Sequence, residues 1–392
     1  MTARARVEEI DIIKALGILL MVLGHAGTPG TNWIYLFHMA VFVIASGYCF
    51  RPKHSETLLK GVLPFIGKRI WQLWVPYAIW QSVFVLLNNW LLKINVYTSN
   101  PLLFEYVNGS TLNISVLMPP LTQKQTLNAV KNCLLFSNLT PLGGALWFLQ
   151  LIFFVSVSYC IVDYLVRKIV PRHSMLVQAA LSVGLLIVGS RCKGNEWMLS
   201  LGRAASCYFM FFLGCFLRQH AGVVERMNWK VFLPCGIVSL VVLLYCNTLH
   251  QSSFVSVYLI TNRYPNLLFL AVCSVAGWIL LYSAAYFIRK VPGKRFIMWI
   301  GKRTRAVMIF HFAAFKLVAA RIVSVYHLPA FCMAAHTHLY GDRGSWWMAY
   351  TLVGLAVPLL LSFCFSLLLY YPRSAIRQKL SARFRKASAP AP

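Results

Sequence analysis

The sequence predicts an all-α, polytopic membrane helix bundle of about ten transmembrane helices, with both termini in the cytoplasm. Three observations carry that expectation. Hydrophobic residues make up 59% of the 392-residue chain and charged residues 12%, against roughly 25% charged in soluble domains. The apolar residues fall in runs long enough to cross a bilayer, which takes about 20 residues. Lysine and arginine gather at alternate ends of those runs.

The candidate spans are 10–28, 33–50, 71–92, 146–166, 175–190, 203–217, 230–247, 266–288, 304–322 and 346–370. With the N-terminus inside, the inner segments hold about three Lys or Arg for each one outside, as the positive-inside rule requires. Arg4 and Arg6 precede the first run without a small-residue cleavage site after it, so that run is read as a retained span. A formal charge of +28 raises the question of nucleic acid. The basic residues are spread between apolar runs rather than massed on one domain, so the expected partner is membrane lipid and not nucleic acid.

Eleven cysteines form no CxxC pair and mostly sit in apolar runs. They read as small apolar residues rather than a metal site, with a disulfide among the outer Cys133, Cys192 and Cys332 left open. Residues 1–372 form a single membrane domain and 373–392 a basic cytoplasmic tail. Two outer segments stand out. Residues 93–145 are rich in Asn, Ser and Thr, and their apolar "CLLFSNL" patch could lie on the membrane or dip into it. Residues 323–345 carry His327, His336, His338 and Asp342. The sequons at Asn108, Asn113 and Asn138 read as chance occurrences in an Asn-rich loop.

Lys14 and His25 lie within "DIIKALGILLMVLGHAG". A charged or titratable side chain in an apolar span is costly and marks a candidate functional site. Eleven positions at 100° each leave the two side chains about 20° apart on one helix face, and about 16 Å apart along its axis. Taken singly, Lys14 could snorkel to the inner surface beside Asp11, and His25 could simply end a helix at "GHAG". Taken together they place a cation near the cytoplasm and a proton-handling imidazole nearer the outside. That arrangement suits a donor with phosphates at one end and a thioester at the other, such as acyl-coenzyme A.

The spacing Lys-x10-His resembles the Arg/Lys-x10-His motif in the first span of the membrane acyltransferase-3 family. Further likenesses follow in the same order along the chain: "LFHMAVFVIASGYCF" (36–50), "GKRIWQLWVPY" (67–77), "LWFLQLIFF" (146–154), "FFLGCFLR" (211–218) and "IGKRTRAVMIFHF" (300–312). In the last of these, Arg305 and Val307 stand where the family pattern has a serine-tyrosine pair. The resemblance implies O-acylation, usually O-acetylation, of a surface polysaccharide, O-antigen or glycolipid sugar in a bacterial inner membrane, with acetyl-coenzyme A or another acyl-coenzyme A as donor.

On this reading His25 is the general base, Lys14 holds the donor, and His38 orients His25 or binds substrate. Trp147, Ser46 and His311 are candidate substrate contacts, with close helix packing the competing role for Ser46 and a core histidine the competing role for His311. Lys68, Arg69, Lys302, Arg303 and Arg305 fall on the cytoplasmic side, where they could meet coenzyme A phosphates or only anchor loops. With nine Asp and Glu in the chain, none with an obvious place facing His25, the sequence argues against paired-carboxylate chemistry. A transporter or flippase of a lipid-linked saccharide is the alternative, since it too needs many spans, a basic inner face and buried polar groups.

Overall fold

A computed structural model describes residues 8–107, 117–137, 139–192, 194–251, 257–336 and 346–387. Asn108, Asn113, Asn138, His338 and Asp342 lie outside the described residues. Each of the ten predicted segments is helical. The chain runs through α1 (Glu8–His25), α2 (Thr31–Tyr35), α3 (His38–Tyr48), α4 (Leu63–Arg69), α5 (Val75–Leu86), α6 (Asn88–Lys93), α7 (Leu103–Tyr106) and α8 (Gln123–Leu134). It continues through α9 (Trp147–Ile169), α10 (Ser174–Arg191), α11 (Glu196–Gln219), α12 (Ala221–Glu225), α13 (Trp229–Gln251), α14 (Leu267–Ile288), α15 (Lys294–Gly301), α16 (Thr304–Val325) and α17 (Trp346–Ala387). The last helix thus passes without a break from the tenth predicted span into the basic tail.

Among the described residues, seven helices are long and apolar enough to cross a membrane on their own. The first three predicted spans are built differently, for physical reasons. α1 carries Glu8, Glu9, Asp11 and Lys14. The second span is broken at Phe37 into α2 and α3. The third opens on a single π turn at Ile70–Trp74 and is interrupted at Leu87, between α5 and α6.

Burial sorts the long helices into two classes. The apolar windows of α9, α11 and α16 are 67%, 61% and 61% buried inside the protein, whereas those of α10, α13 and α17 are only 22% buried. The first group, with α1 and α3, forms the centre, and the second presents its apolar side chains to lipid. α3 and α11 meet at glycines. A side chain on Gly47 would overlap the carbonyl of Phe211, and one on Gly214 that of Ile44.

The acidic first turn of α1 is held by bases from the far end of the chain. Glu9 pairs with Arg289, and Glu8 Oε2 lies 2.6 Å from Lys294 Nζ. Both carboxylates also sit at the helix end that favours negative charge. α15 crosses α1 so closely that a Cβ on Gly301 would overlap the carbonyl of Asp11.

Part of the polar outer segment re-enters the bundle beside α5. At one end Asn89 exchanges hydrogen bonds with Leu121 (2.7 and 2.8 Å); at the other Trp74 Nε1 donates to Leu134 O (2.9 Å). α8 begins with a capping box made by Thr122 and Gln125, which satisfies its first free amide groups. The return stretch is pinned by Gln81, whose amide accepts from Thr140 N (2.9 Å) and Thr140 Oγ1 (2.8 Å) and donates to Gly143 O (2.8 Å). Gly143 leaves no room for a larger residue, because an added Cβ would stand 2.6 Å from that amide. The stretch then brings Gly144 against Phe312 of α16. All eleven cysteines are free thiols, Cys133, Cys192 and Cys332 included.

Candidate active site

Gly27 ends α1 two residues after His25, and Gly30 leads into α2; their φ angles of 71° and 86° are the left-handed values that favour glycine. The tight connection sets His25 at the mouth of the bundle with α2 folded back over it. Tyr35 of α2 donates its hydroxyl to Gly24 O (3.1 Å), and its ring centroid lies 6.3 Å from that of His25 and 5.3 Å from that of His38. Tyr35 therefore stands between His25 and His38.

α16 supplies the other wall. The His311 ring lies 5.3 Å from His25, and Phe312 meets His25 edge-on at 5.0 Å. His336, from the turn before α17, stacks on Phe312 at 4.4 Å. His38, His311 and His336 are buried. Backbone carbonyls fix two of these rings: Nδ1 of His38 bonds Ile34 O and Nδ1 of His311 bonds Val307 O, each at 2.9 Å. A carbonyl only accepts, so in each neutral ring Nδ1 carries the proton and Nε2 offers a lone pair.

Two buried nitrogens in this cluster, His25 Nδ1 and His311 Nε2, have no hydrogen-bond partner. Buried polar atoms are nearly always paired, so a pair of orphans on adjacent rings leaves hydrogen-bonding capacity that the protein itself does not fill. Chemically the cluster can take a proton from a hydroxyl and return one to a leaving group, in surroundings walled by Phe312 and Tyr35.

Lys14 occupies the other end of the same face of α1. Its Nζ lies 3.9 Å from the exposed Cys49 thiol, at the inner end of α3. Ile18 and Met21 lie on that face between Lys14 and His25, and both are fully buried. The stretch between cation and imidazole is thus apolar.

Two contacts bring the basic stretches together near Lys14. Gly301 lies on Asp11, and Arg305 Nη1 donates to Gln72 O (3.0 Å), tying residues 301–305 to the segment that follows Lys68 and Arg69. Lys68 and Lys302 are exposed. Arg69 lies over Phe65 (4.8 Å) and Arg303 over Trp299 (4.1 Å), and the Nε atoms of both are buried without a partner. His54 reports on this charge: burial, followed by Lys68, Lys53, Arg69 and Arg51, lowers its pKa to about 4.

Two nominated substrate contacts lie outside the imidazole cluster. Ser46 is about 12 Å along α3 from His38, next to the Gly47–Gly214 contact, in keeping with the packing role. Trp147 is buried beneath the guanidinium of Arg203 (5.7 Å), three residues after Gly144. Sequence reasoning missed Tyr35, Phe312, Lys316 and His336 as members of the site. Their available signals were a tyrosine three residues before His38, a lysine inside a span, and a histidine in the His-rich outer segment.

A multi-helix membrane bundle with a buried imidazole cluster at one end of its first helix and a basic rim at the other has the form of an integral-membrane group-transfer enzyme. The chain belongs to the acyltransferase-3 family, whose acyltransferase-domain model matches residues 7–367, and is therefore an integral-membrane acyltransferase with an acyl donor and an acceptor. No curated relative and no solved structure matches it.

Proposed function

We propose that the protein is an O-acyltransferase of a bacterial inner membrane that transfers an acyl group, typically acetyl, from acyl-coenzyme A to a sugar hydroxyl of a cell-surface polysaccharide, O-antigen or glycolipid. The observation that carries this reading is the shared face of α1: the imidazole cluster about His25 stands at one end and Lys14, with the basic rim, at the other. Donor phosphates bind among Lys14, Lys68, Arg69, Lys302, Arg303 and Arg305. Ile18 and Met21 are fully buried between the rim and His25, so these side chains must part for the donor's thioester to reach His25. Trp147 contributes to the acceptor side.

In the transfer His25 removes the proton from the acceptor hydroxyl, and the oxygen attacks the thioester carbonyl. The C–S bond breaks, an ester C–O bond forms, and the departing thiolate takes the proton from His25. His311 and His38 hold the ring in place. The balance needs no further reactant.

The test is mass analysis of surface glycans from cells with and without the gene. Cells with it carry an added acyl mass that mild base removes; unchanged ester content with failed glycan export would overturn the reading in favour of a transporter. A second measurement tests donor placement. Coenzyme A phosphates beside Lys68 and Arg69 favour protonated His54, so the pKa of that residue should rise from about 4 on adding coenzyme A, as read by histidine NMR. No movement would place the donor elsewhere.

A further inference from the structure

Lys316 is a lysine inside an otherwise apolar helix, and it lies in no part of the donor rim. It stands one turn after Phe312 on the same face of α16, and only 6% of its surface is exposed. Its ammonium donates to the carbonyl oxygens of Ala334 and Ala335, the latter at 2.9 Å. Those carbonyls close the short helical turn Ala330–Ala334, and the end of such a turn leaves carbonyls that need donors. The next residue is His336, buried at 2% exposure, with its ring on Phe312 and Phe312 on His25.

We infer that Lys316 is a positioning residue for the transfer: it clamps the 330–336 segment onto α16 and thereby fixes His336 in the imidazole cluster. The inference rests on the acyl-transfer reading for its catalytic consequence and on the geometry alone for the clamp. A neutral amide could also bond carbonyls, and burying an ammonium is costly. The charge has its own use here. Burial, then Lys316, then His25 and His311 hold the His336 pKa well below the ordinary imidazole value, so the ring stays neutral and able both to donate and to accept. From the α7 side, the Tyr106 ring meets Phe331, which belongs to the same 330–336 segment.

The experiment uses the full-length protein in lipid nanodiscs, with acetyl-coenzyme A as donor, a surface glycan as acceptor, and His336 followed by histidine NMR. Lys316→Met is expected to lower kcat by about 10²-fold, the usual effect of a small misplacement, with the KM for acetyl-coenzyme A nearly unchanged. With the cation gone His336 protonates more readily, so its titration and the acidic limb of the rate profile both move to higher pH. Lys316→Arg keeps the charge and should leave that limb in place. If Lys316→Met does not fold, Lys316→Gln, which keeps a donor but no charge, carries the same comparison.

Wild-type kcat with an unmoved His336 titration in the folded variants overturns the proposal. So does a loss of rate that tracks thermal stability alone, with the same limb for Met and Arg. If the His336 titration moves but wild-type protein transfers no acyl group, the clamp is upheld and the acyl-transfer reading is what fails.

Discussion

Replacing His25 by Ala is expected to lower ester formation on the acceptor about 10²–10⁴-fold, the range that a positioned general base contributes, while leaving the protein folded and glycan export intact. The side chain is only part-buried at the end of α1, so its removal opens space at the mouth of the site rather than in the centre of the bundle. His311→Gln should also be slow, because the amide keeps a polar group but not the ring that packs on His25 and holds it in place. The two rings, 5.3 Å apart, act as one unit, so the double variant should be scarcely slower than His25→Ala alone. Acyl transfer is read as base-labile acyl mass on the glycan, and export as the amount of glycan reaching the surface. Near-normal transfer by His25→Ala would remove the imidazole from the chemistry, and multiplied losses in the double variant would separate the two roles.

The spans were legible because lipid leaves the backbone one economical solution, and apolar runs of the right length declare it. Seven of the ten read directly as spanning helices; the first three did not, because α1 bears four charges and the next two are interrupted, at Phe37 and, beyond the π turn Ile70–Trp74, at Leu87. Lys14 and His25 were legible for a related reason: helical periodicity fixes their shared face without any knowledge of neighbours. The partners of His25 were not. Tyr35 reaches it only because Gly27 and Gly30 reverse the chain, and His336 reaches it only because Lys316 holds Ala334 and Ala335. Those are contacts between segments, and no local pattern encodes them. The apolar stretch at Ile18 and Met21 was visible in the sequence, but its meaning depends on both side chains being fully enclosed. Leu134 illustrates the same limit: its apolar character named no neighbour, and the bond from Trp74 sets it beside the start of the third span.

Gly214→Ala and Gly47→Ala are expected to be among the most damaging single substitutions outside the chemistry. Each added methyl would meet backbone, the carbonyl of Ile44 in one case and of Phe211 in the other, and backbone cannot swing aside as a side-chain tip can. Overpacking a dense interior costs about 1–3 kcal/mol and sometimes more, and the rigid neighbours here put both variants at the upper end. The damage should also reach the site. Gly47 follows His38 by nine residues, about 180° around α3, so a push that separates α3 from α11 drives His38 toward Tyr35 and α1. The expected result is a lowered thermal midpoint in detergent together with reduced acyl transfer. Because both methyls would spread the same pair of helices, the double variant should cost less than the two singles added together. Small, additive losses would show that the helices do not meet at these glycines.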